Sequence, residues 1–433
     1  MKKIFNVLTF VLVFLIVSSF STAFALELDY DEGFPEITSE SILAVEIGTS
    51  EASIDDDTVL YNRNADKKMY PASLVKIMSA VIVFESISVE EMESTKITLT
   101  QSIINEVFSA GASTALITKN EEMDVNDLLY CLLLPSGADA AKMLARHFGD
   151  GSEAAFVEKM NAKASELGLK NTNFTNSTGL HDEDQYTTAK DLYILSKYAM
   201  FEMNGCEKFR EIVNTYSYTL KATNKQKERK IYNTNKLLNS IESVSGIKTG
   251  TTTPAGQCLA TYAQTDNMRI ILITLKADKG SPVSAEQKDI YSWIEKSFQP
   301  VEIDSLSFEE LTVDIKRGPS DKKQTTLIIG SDKKFVLPNG YEKELKLVTD
   351  EEFKSVKAPF GKNELLATAK IMYGNQQLTQ VELYSDEFVN LGLKYYFLYA
   401  GMIIVPILLL IILIVIIVKV ARSRSARIKR RRR

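Results

Sequence analysis

Histidine is almost missing from this 433-residue chain: His147 and His181 are its only two, widely separated in sequence. A catalytic metal centre usually draws on several imidazoles, so both are read as structural residues. Cysteine is equally scarce. Cys131, Cys206 and Cys258 form an odd set with no close pair, which argues against a disulfide framework and against a zinc–thiolate site. No metal and no cofactor is expected. Repeats and low-complexity segments are absent apart from the terminal arginines.

Carboxylates are missing from both ends. Lys2 and Lys3 precede an uncharged run over 4–20, and Ala23-Phe24-Ala25 supplies the small residues of a signal-peptidase site, so residues 1–25 are expected to be a signal peptide, whether or not it is cleaved. A linker is expected over 26–40. Near the other end, residues 395–418 carry no charge, and at about 1.5 Å per residue this run reaches about 36 Å, enough for a transmembrane helix despite Pro406. The tail over 419–433 holds nine cations and no acid. By the positive-inside rule it stays cytoplasmic, next to anionic lipid headgroups rather than nucleic acid.

Nine of the 51 Lys and Arg lie in that tail and two in the leader, which leaves 40 for the rest of the chain against all 56 Asp and Glu. The exported part therefore carries about −16. Bulk charge cannot attach it to an anionic polymer, so affinity for wall material must come from a specific site.

About 370 residues between leader and span are too many for one ordinary domain. Strands are predicted over 41–47 and 58–61, with 48–57 as their turn. Helical spacing then dominates 74–84, 125–134, 138–148, 152–167 and 189–199. Strands return over 257–263 and 269–275, and an amphipathic helix over 285–298 closes the unit. A sheet built from both ends of this segment, with helices inserted between, is the simplest α/β arrangement. After Pro300, short alternating runs over 311–315, 325–329, 345–348, 366–372 and 378–384 predict a small β-domain over 300–391.

Pro71-Ala72-Ser73-Leu74-Val75-Lys76 opens a helical pattern. Residues i and i+3 share one helix face, so the Ser73 hydroxyl and the Lys76 amine can meet as nucleophile and base. Three further Ser-x-x-Lys matches, Ser245 to Lys248, Ser320 to Lys323 and Ser331 to Lys334, show that spacing alone selects nothing; only Ser73 begins an apolar helix. Lys248-Thr249-Gly250 is followed by Thr251 and Thr252 at a predicted strand edge, where a cation, a hydroxyl and an open backbone suit an extended peptide.

In order and approximate spacing, Ser73-x-x-Lys76, Ser136-Gly137-Ala138 and Lys248-Thr249-Gly250 resemble the penicillin-recognising serine enzymes. The segments 70–78, 128–130, 135–137, 173–176, 179–180 and 246–251 resemble the low-molecular-mass D-alanyl-D-alanine carboxypeptidases, peptidase family S11, over about 41–298. The resemblance implies a fold: an antiparallel sheet of the β-lactamase/transpeptidase type, helices on both faces and an inserted helical subdomain, spanning 41–299. It places a β-sandwich-like spacer over 300–391 and an anchor at 395–418. It also implies roles: Ser73 attacks the D-Ala-D-Ala carbonyl, Lys76 takes its proton, Ser136 relays a proton to the leaving D-alanine, and Lys248 with Thr249 and Gly250 holds the terminal carboxylate. Backbone N–H groups of Ser73 and Thr251 are the implied oxyanion hole. The implied partners are the peptidoglycan stem pentapeptide and, as inhibitors, β-lactam antibiotics.

One departure stands out. The family's usual Ser-x-Asn is Ser136-Gly137-Ala138 here, without the side-chain amide. A catalytically impaired peptidoglycan-binding or scaffold protein therefore stays open as an alternative, as does a β-lactamase with Glu166 as its deacylating carboxylate.

Overall fold

In the computed structural model, residues 26–48, 57–308, 311–331, 334–349 and 353–431 are described, with side chains of the last helix described to 422. The expected signal peptide and most of the expected 48–57 turn lie outside them.

The chain divides into two compact units. The first runs to Val301 and includes Lys334–Lys343; the second comprises Glu302–Lys333 and the chain from Glu344 onward. In the first, six strands make the main sheet: β1 (Leu26–Glu27), β2 (Ser41–Glu46), β3 (Thr58–Arg63), β4 (Val244–Thr252), β5 (Gly256–Gln264) and β6 (Arg269–Ala277). Their spatial order is β1-β3-β2-β6-β5-β4, so both ends of the unit meet in one sheet. β6 reads RIILITLKA and is buried almost throughout. Such a β-branched run has no polar face because both faces are covered.

Alternation along β5 and β6 sorts the two layers. Cys258, Ala260, Tyr262, Ile271 and Ile273 join the main core, whereas Thr261 and Thr274 turn to the other face. There helix α8 (Val283–Ser297) presents Gln287, whose amide nitrogen donates to the carbonyls of Leu259 at 3.0 Å and Leu272 at 3.3 Å. A buried amide with all these partners is satisfied and fixes the helix rotation over the strands.

Helices α1 (Val75–Ser86), α2 (Gln101–Ser109), α3 (Val125–Leu133), α4 (Ala138–Phe148), α5 (Glu153–Glu166), α6 (Ala189–Lys197) and α7 (Cys206–Asn214) fill the inserted middle. α1 is buried from Val75 through Phe84, the pattern of a central helix enclosed on all sides. α2 to α6 begin at ordinary caps where the sequence offers them, with Thr100, Asp124, Ser152 and Thr188 side chains accepting from backbone N–H groups.

The segment expected as a 26–40 linker packs onto the body. β1 pairs parallel with β3, the Phe34 ring stacks on Tyr61 with centroids 3.6 Å apart, and the Trp293 indole donates to the Glu32 carbonyl at 2.9 Å. Glu286 on α8 accepts from the Thr38 and Ser39 backbone N–H groups at 2.9 and 3.1 Å. A short acidic sequence carries no periodicity, so these long-range contacts left no local signature.

Strands Phe298–Glu302 and Lys334–Pro338 pair with each other. The Asn339 N–H donates to the Ser297 carbonyl at 2.9 Å, so the Lys334–Lys343 segment belongs to the first unit rather than to the expected 300–391 domain. In the second unit a six-stranded sheet has the order Leu345–Thr349, Leu365–Tyr373, Gln376–Ser385, Gln324–Gly330, Thr312–Lys316, Ser355–Lys357. Helix α9 (Leu393–Arg431) follows, 39 residues long, unbroken at Pro406, with its aliphatic side chains from Ile403 to Val418 exposed. Such a surface is compatible with a membrane anchor.

A buried ion pair ties α6 to the start of β3. Lys197 Nζ lies 2.9 and 2.8 Å from the Asp57 carboxylate oxygens, Tyr193 donates to the same carboxylate, and both charged side chains are at most 1% exposed. Removing one partner leaves the other charge uncompensated. Asp57→Ala is expected to cost about 3–5 kcal/mol in thermal or denaturant unfolding. Asp57→Ala with Lys197→Met should recover most of that loss; equal instability of the single and double variants would contradict the ion-pair account.

Candidate active site

Ser73 sits in the single turn Ala72–Leu74 that leads directly into α1. Two glycines let the chain close around it. A Cβ at Gly179 would lie 2.1 Å from the Ala72 carbonyl oxygen and 2.8 Å from Ser73 Cα, and one at Gly250 would lie 3.0 Å from Ser73 N. The 173–180 loop and edge strand β4 approach the serine this closely because no side chain intervenes.

One turn on, Lys76 is 1% exposed and its Nζ stands 3.1 Å from Ser73 Oγ. Its other partner is the Thr178 carbonyl of the same loop. Burial pushes the Lys76 amine down to about 7, although the Asp139 carboxylate opposes the shift. Near neutrality a large fraction is thus unprotonated, the state a base requires.

Strand β4 explains Lys248. Pairing with β5 aligns Lys248 with Ala260, Thr249 with Leu259 and Gly250 with Cys258. Side chains alternate, so Thr249 and Thr251 face the cleft while Lys248 points into the body at 1% exposure, where its Nζ donates to the Thr249 carbonyl at 3.1 Å. Burial first, and then the nearby Lys76, hold Lys248 well below the ordinary lysine range. Two ammonium groups cannot both be charged cheaply in one dry pocket.

Ser136 adopts the left-handed φ of 63°, and its buried Oγ has no hydrogen-bond partner among the described residues. An orphaned hydroxyl at a cleft wall is an acceptor and donor held in reserve. Its conformation is fixed from outside: Ser113 Oγ donates to the Ser136 carbonyl at 2.7 Å, and the Ala138 N–H donates to the Ser113 carbonyl at 2.8 Å. The Asp139 carboxylate accepts from the backbone N–H groups of Ala115 at 2.9 Å and Ile117 at 3.2 Å, pinning the loop that carries Ser113.

These groups line a cleft of about 300 Å³ that includes Ser73, Ser113, Ser136, Thr234, Thr249 and Thr251. Thr234 and Thr249 hydroxyls are 2.5 Å apart. Ser113, Thr178, Asp139 and Thr234 carried no motif in sequence; Asp139, immediately after Ser136-Gly137-Ala138, was the one that position could have flagged. Ala138 is buried at the first position of α4 and presents only a methyl group. Glu166 is far from this role: it pairs with Lys163 at 2.7 Å with its side chain 66% exposed, and it does not line the cleft. His181 and His147 each pack edge-on against an aromatic ring, Tyr70 and Phe148.

A family model described as D-alanyl-D-alanine carboxypeptidase matches residues 30–279, and one for the C-terminal domain of penicillin-binding protein 5 matches 310–391. The chain is 30% identical to the D-alanyl-D-alanine carboxypeptidase DacF of Bacillus subtilis, over 77% of this chain and 83% of the relative. It is 28% identical to DacA of Escherichia coli, over 80% of this chain and 83% of that protein. Among solved structures, penicillin-binding protein 5 from Haemophilus influenzae aligns with a TM-score of 0.59 at 26% identity, covering 82% of this chain and 98% of that one. The Streptomyces K15 DD-transpeptidase aligns with a TM-score of 0.54 at 30% identity, over 60% of this chain and 97% of that one. Family model and relatives agree: the chain belongs to the D-alanyl-D-alanine carboxypeptidase family of serine peptidases.

Proposed function

We propose that this carboxypeptidase removes the terminal D-alanine of peptidoglycan stem pentapeptides with Ser73 as nucleophile and Lys76 as base. The observation that carries the assignment is the buried Lys76 amine 3.1 Å from Ser73 Oγ, lowered to about 7. Ser73 Oγ attacks the carbonyl carbon of the penultimate D-alanine while Lys76 takes its proton. Backbone N–H groups of Ser73 and Thr251 receive the oxyanion. The C–N bond then breaks, the departing amine collects a proton through Ser136, and water releases the acyl-enzyme.

Thr249, supported by Thr234, takes the terminal carboxylate from the cleft side, and Gly250 keeps the strand close to Ser73. Lys248 lies beneath the strand, where burial and then Lys76 hold its own amine well below the ordinary lysine range. The missing amide at Ala138 is offset in part by the Thr178 carbonyl, which gives Lys76 a second fixed partner. β-Lactams, as acylating analogues, should be held by the same residues. For the whole molecule, the exposed apolar helix anchors the chain, with the catalytic unit outside and the basic tail inside, which the charge of that tail supports.

Protonated Lys76 cannot accept the serine proton. For that reason kcat/KM for a D-Ala-D-Ala peptide should fall about tenfold per pH unit below an inflection near 7; a flat profile from pH 5 to 8 would refute the assignment. Ser73→Ala should form no covalent penicillin adduct.

Lys76→Met separates function from stability. The folded amine is lowered from 10.5, so the unfolded chain binds more protons; the penalty is complete below about pH 7 and fades as pH rises toward 10.5. It amounts to something on the order of 4 kcal/mol at neutral pH. Turnover of Lys76→Met should drop more than a thousandfold while its Tm rises, more at pH 6 than at pH 10. A lower Tm at both pH values would contradict the buried-charge account.

A further inference from the structure

The exported part is acidic, yet one segment that ends at the cleft is not. Residues 217–236 contain Lys221, Lys225, Lys227, Arg229, Lys230 and Lys236 against the single acid Glu228. Two of these cations are used internally: Lys221 pairs with Glu93 at 3.0 Å, and Arg229 with the buried Glu121 at 2.9 Å. Lys225, Lys227, Lys230 and Lys236 are exposed and have no carboxylate partner among the described residues.

Their arrangement is directional. Strands Ser217–Leu220 and Arg229–Tyr232 form a hairpin, and beyond it Lys230, Tyr232, Thr234 and Lys236 are exposed while Ile231, Asn235 and Leu237 are buried. This period of two makes one ridge, which ends where Thr234 and Lys236 line the catalytic cleft. Tyr216 and Tyr232 stand beside it, 41% and 53% exposed with centroids 6.1 Å apart, and the Lys230 ammonium lies 5.6 Å from the Tyr232 ring centre.

The ridge is held rigid. Glu121 accepts from Thr223 Oγ1 at 2.9 Å and Gln226 Nε2 at 2.6 Å as well as from Arg229, and Asn224 Nδ2 donates to the Asn120 carbonyl at 3.0 Å. The exposed cations therefore project from a preorganised hairpin tied to the loop that also carries Ser113. Mutual repulsion among like charges at this density is an unfavourable arrangement unless an anion relieves it.

We propose that this ridge is a docking track for a carboxylate-bearing peptide, which Lys225, Lys227 and Lys230 attract, Tyr232 contacts through its ring, and Lys236 receives at the cleft. The occupant is an acidic peptide because the ridge is continuous with a cleft that accepts a peptide, so the inference rests on the carboxypeptidase reading. The effect is recruitment: exposed cations without a carboxylate partner among the described residues raise the local concentration of an anionic substrate and its association rate.

The test uses the full-length protein in detergent micelles and two labelled peptides ending in D-Ala-D-Ala, one with two glutamates upstream and one with glutamines there. Binding is measured by fluorescence anisotropy on Ser73→Ala protein, with and without Lys225→Glu, Lys227→Glu and Lys230→Glu together. At low salt the triple reversal should weaken the glutamate peptide about tenfold and the glutamine peptide less than twofold, and the contrast should shrink at high ionic strength. Equal losses for both peptides, or none, would overturn the proposal, as would tighter binding of inorganic polyphosphate than of the glutamate peptide at equal charge. Turnover of the glutamine peptide by the triple variant with Ser73 intact checks folding and should be unchanged; its loss also counts against the track. Should Ser73 protein release no D-alanine while the binding contrast persists, the catalytic reading falls and the track stands.

Discussion

Two lysines, each 1% exposed, share one dry pocket beneath Ser73, and the site depends on that burial. An exposed lysine near 10.5 would be an ammonium at neutral pH and useless to the serine. Enclosure by α1, the 173–180 loop and β4 removes water, and the proximity of Lys76 to Lys248 makes a second positive charge costly. The same feature is a stability liability. The fold accommodates it because the rest of the first unit has a large continuous core and satisfied buried groups such as Gln287 and the Asp57–Lys197 pair.

Close backbone approach is the second requirement. Gly179 lets a loop meet the Ser73 turn at a distance that no Cβ would tolerate, and Gly250 lets the strand edge come so near that a Cβ would lie 3.0 Å from Ser73 N. Around this contact the remaining wall is set by longer-range ties. Asp139 pins the Ser113 loop, Ser113 fixes the Ser136 backbone, and Glu121 joins that loop to the basic hairpin. The loop that fixes the Ser136 backbone is thus also tied to the hairpin that carries the exposed lysines.

Local patterns in the sequence were sufficient for much of this. The apolar run after Pro71 predicted α1 and placed Ser73 and Lys76 on one face; alternating runs after Pro300 predicted most strands of the second sheet; the sheet built from both ends of the first unit is as the strand signals implied. What escaped was non-local. Thr178 meets Lys76 across 102 residues, and the 26–40 segment packs on Trp293 and Glu286, neither with any periodic signature. The inward direction of Lys248 was readable in principle. On a strand, Lys248 and Thr249 must face opposite sides, so a cleft-facing Thr249 implies a buried Lys248. The motif drew attention to residue types and away from that alternation.

The central claim is that Lys76 is a base because it is neutral, and titration of the lysines by NMR of 13Cε-labelled protein tests it most directly. The account predicts two lysines titrating below the ordinary range, Lys248 and Lys76, of which the resonance near 7 disappears in Lys76→Met. If no lysine titrates below the ordinary range for exposed amines, or if the resonance near 7 survives in Lys76→Met, Lys76 is not the base and the site works by another route.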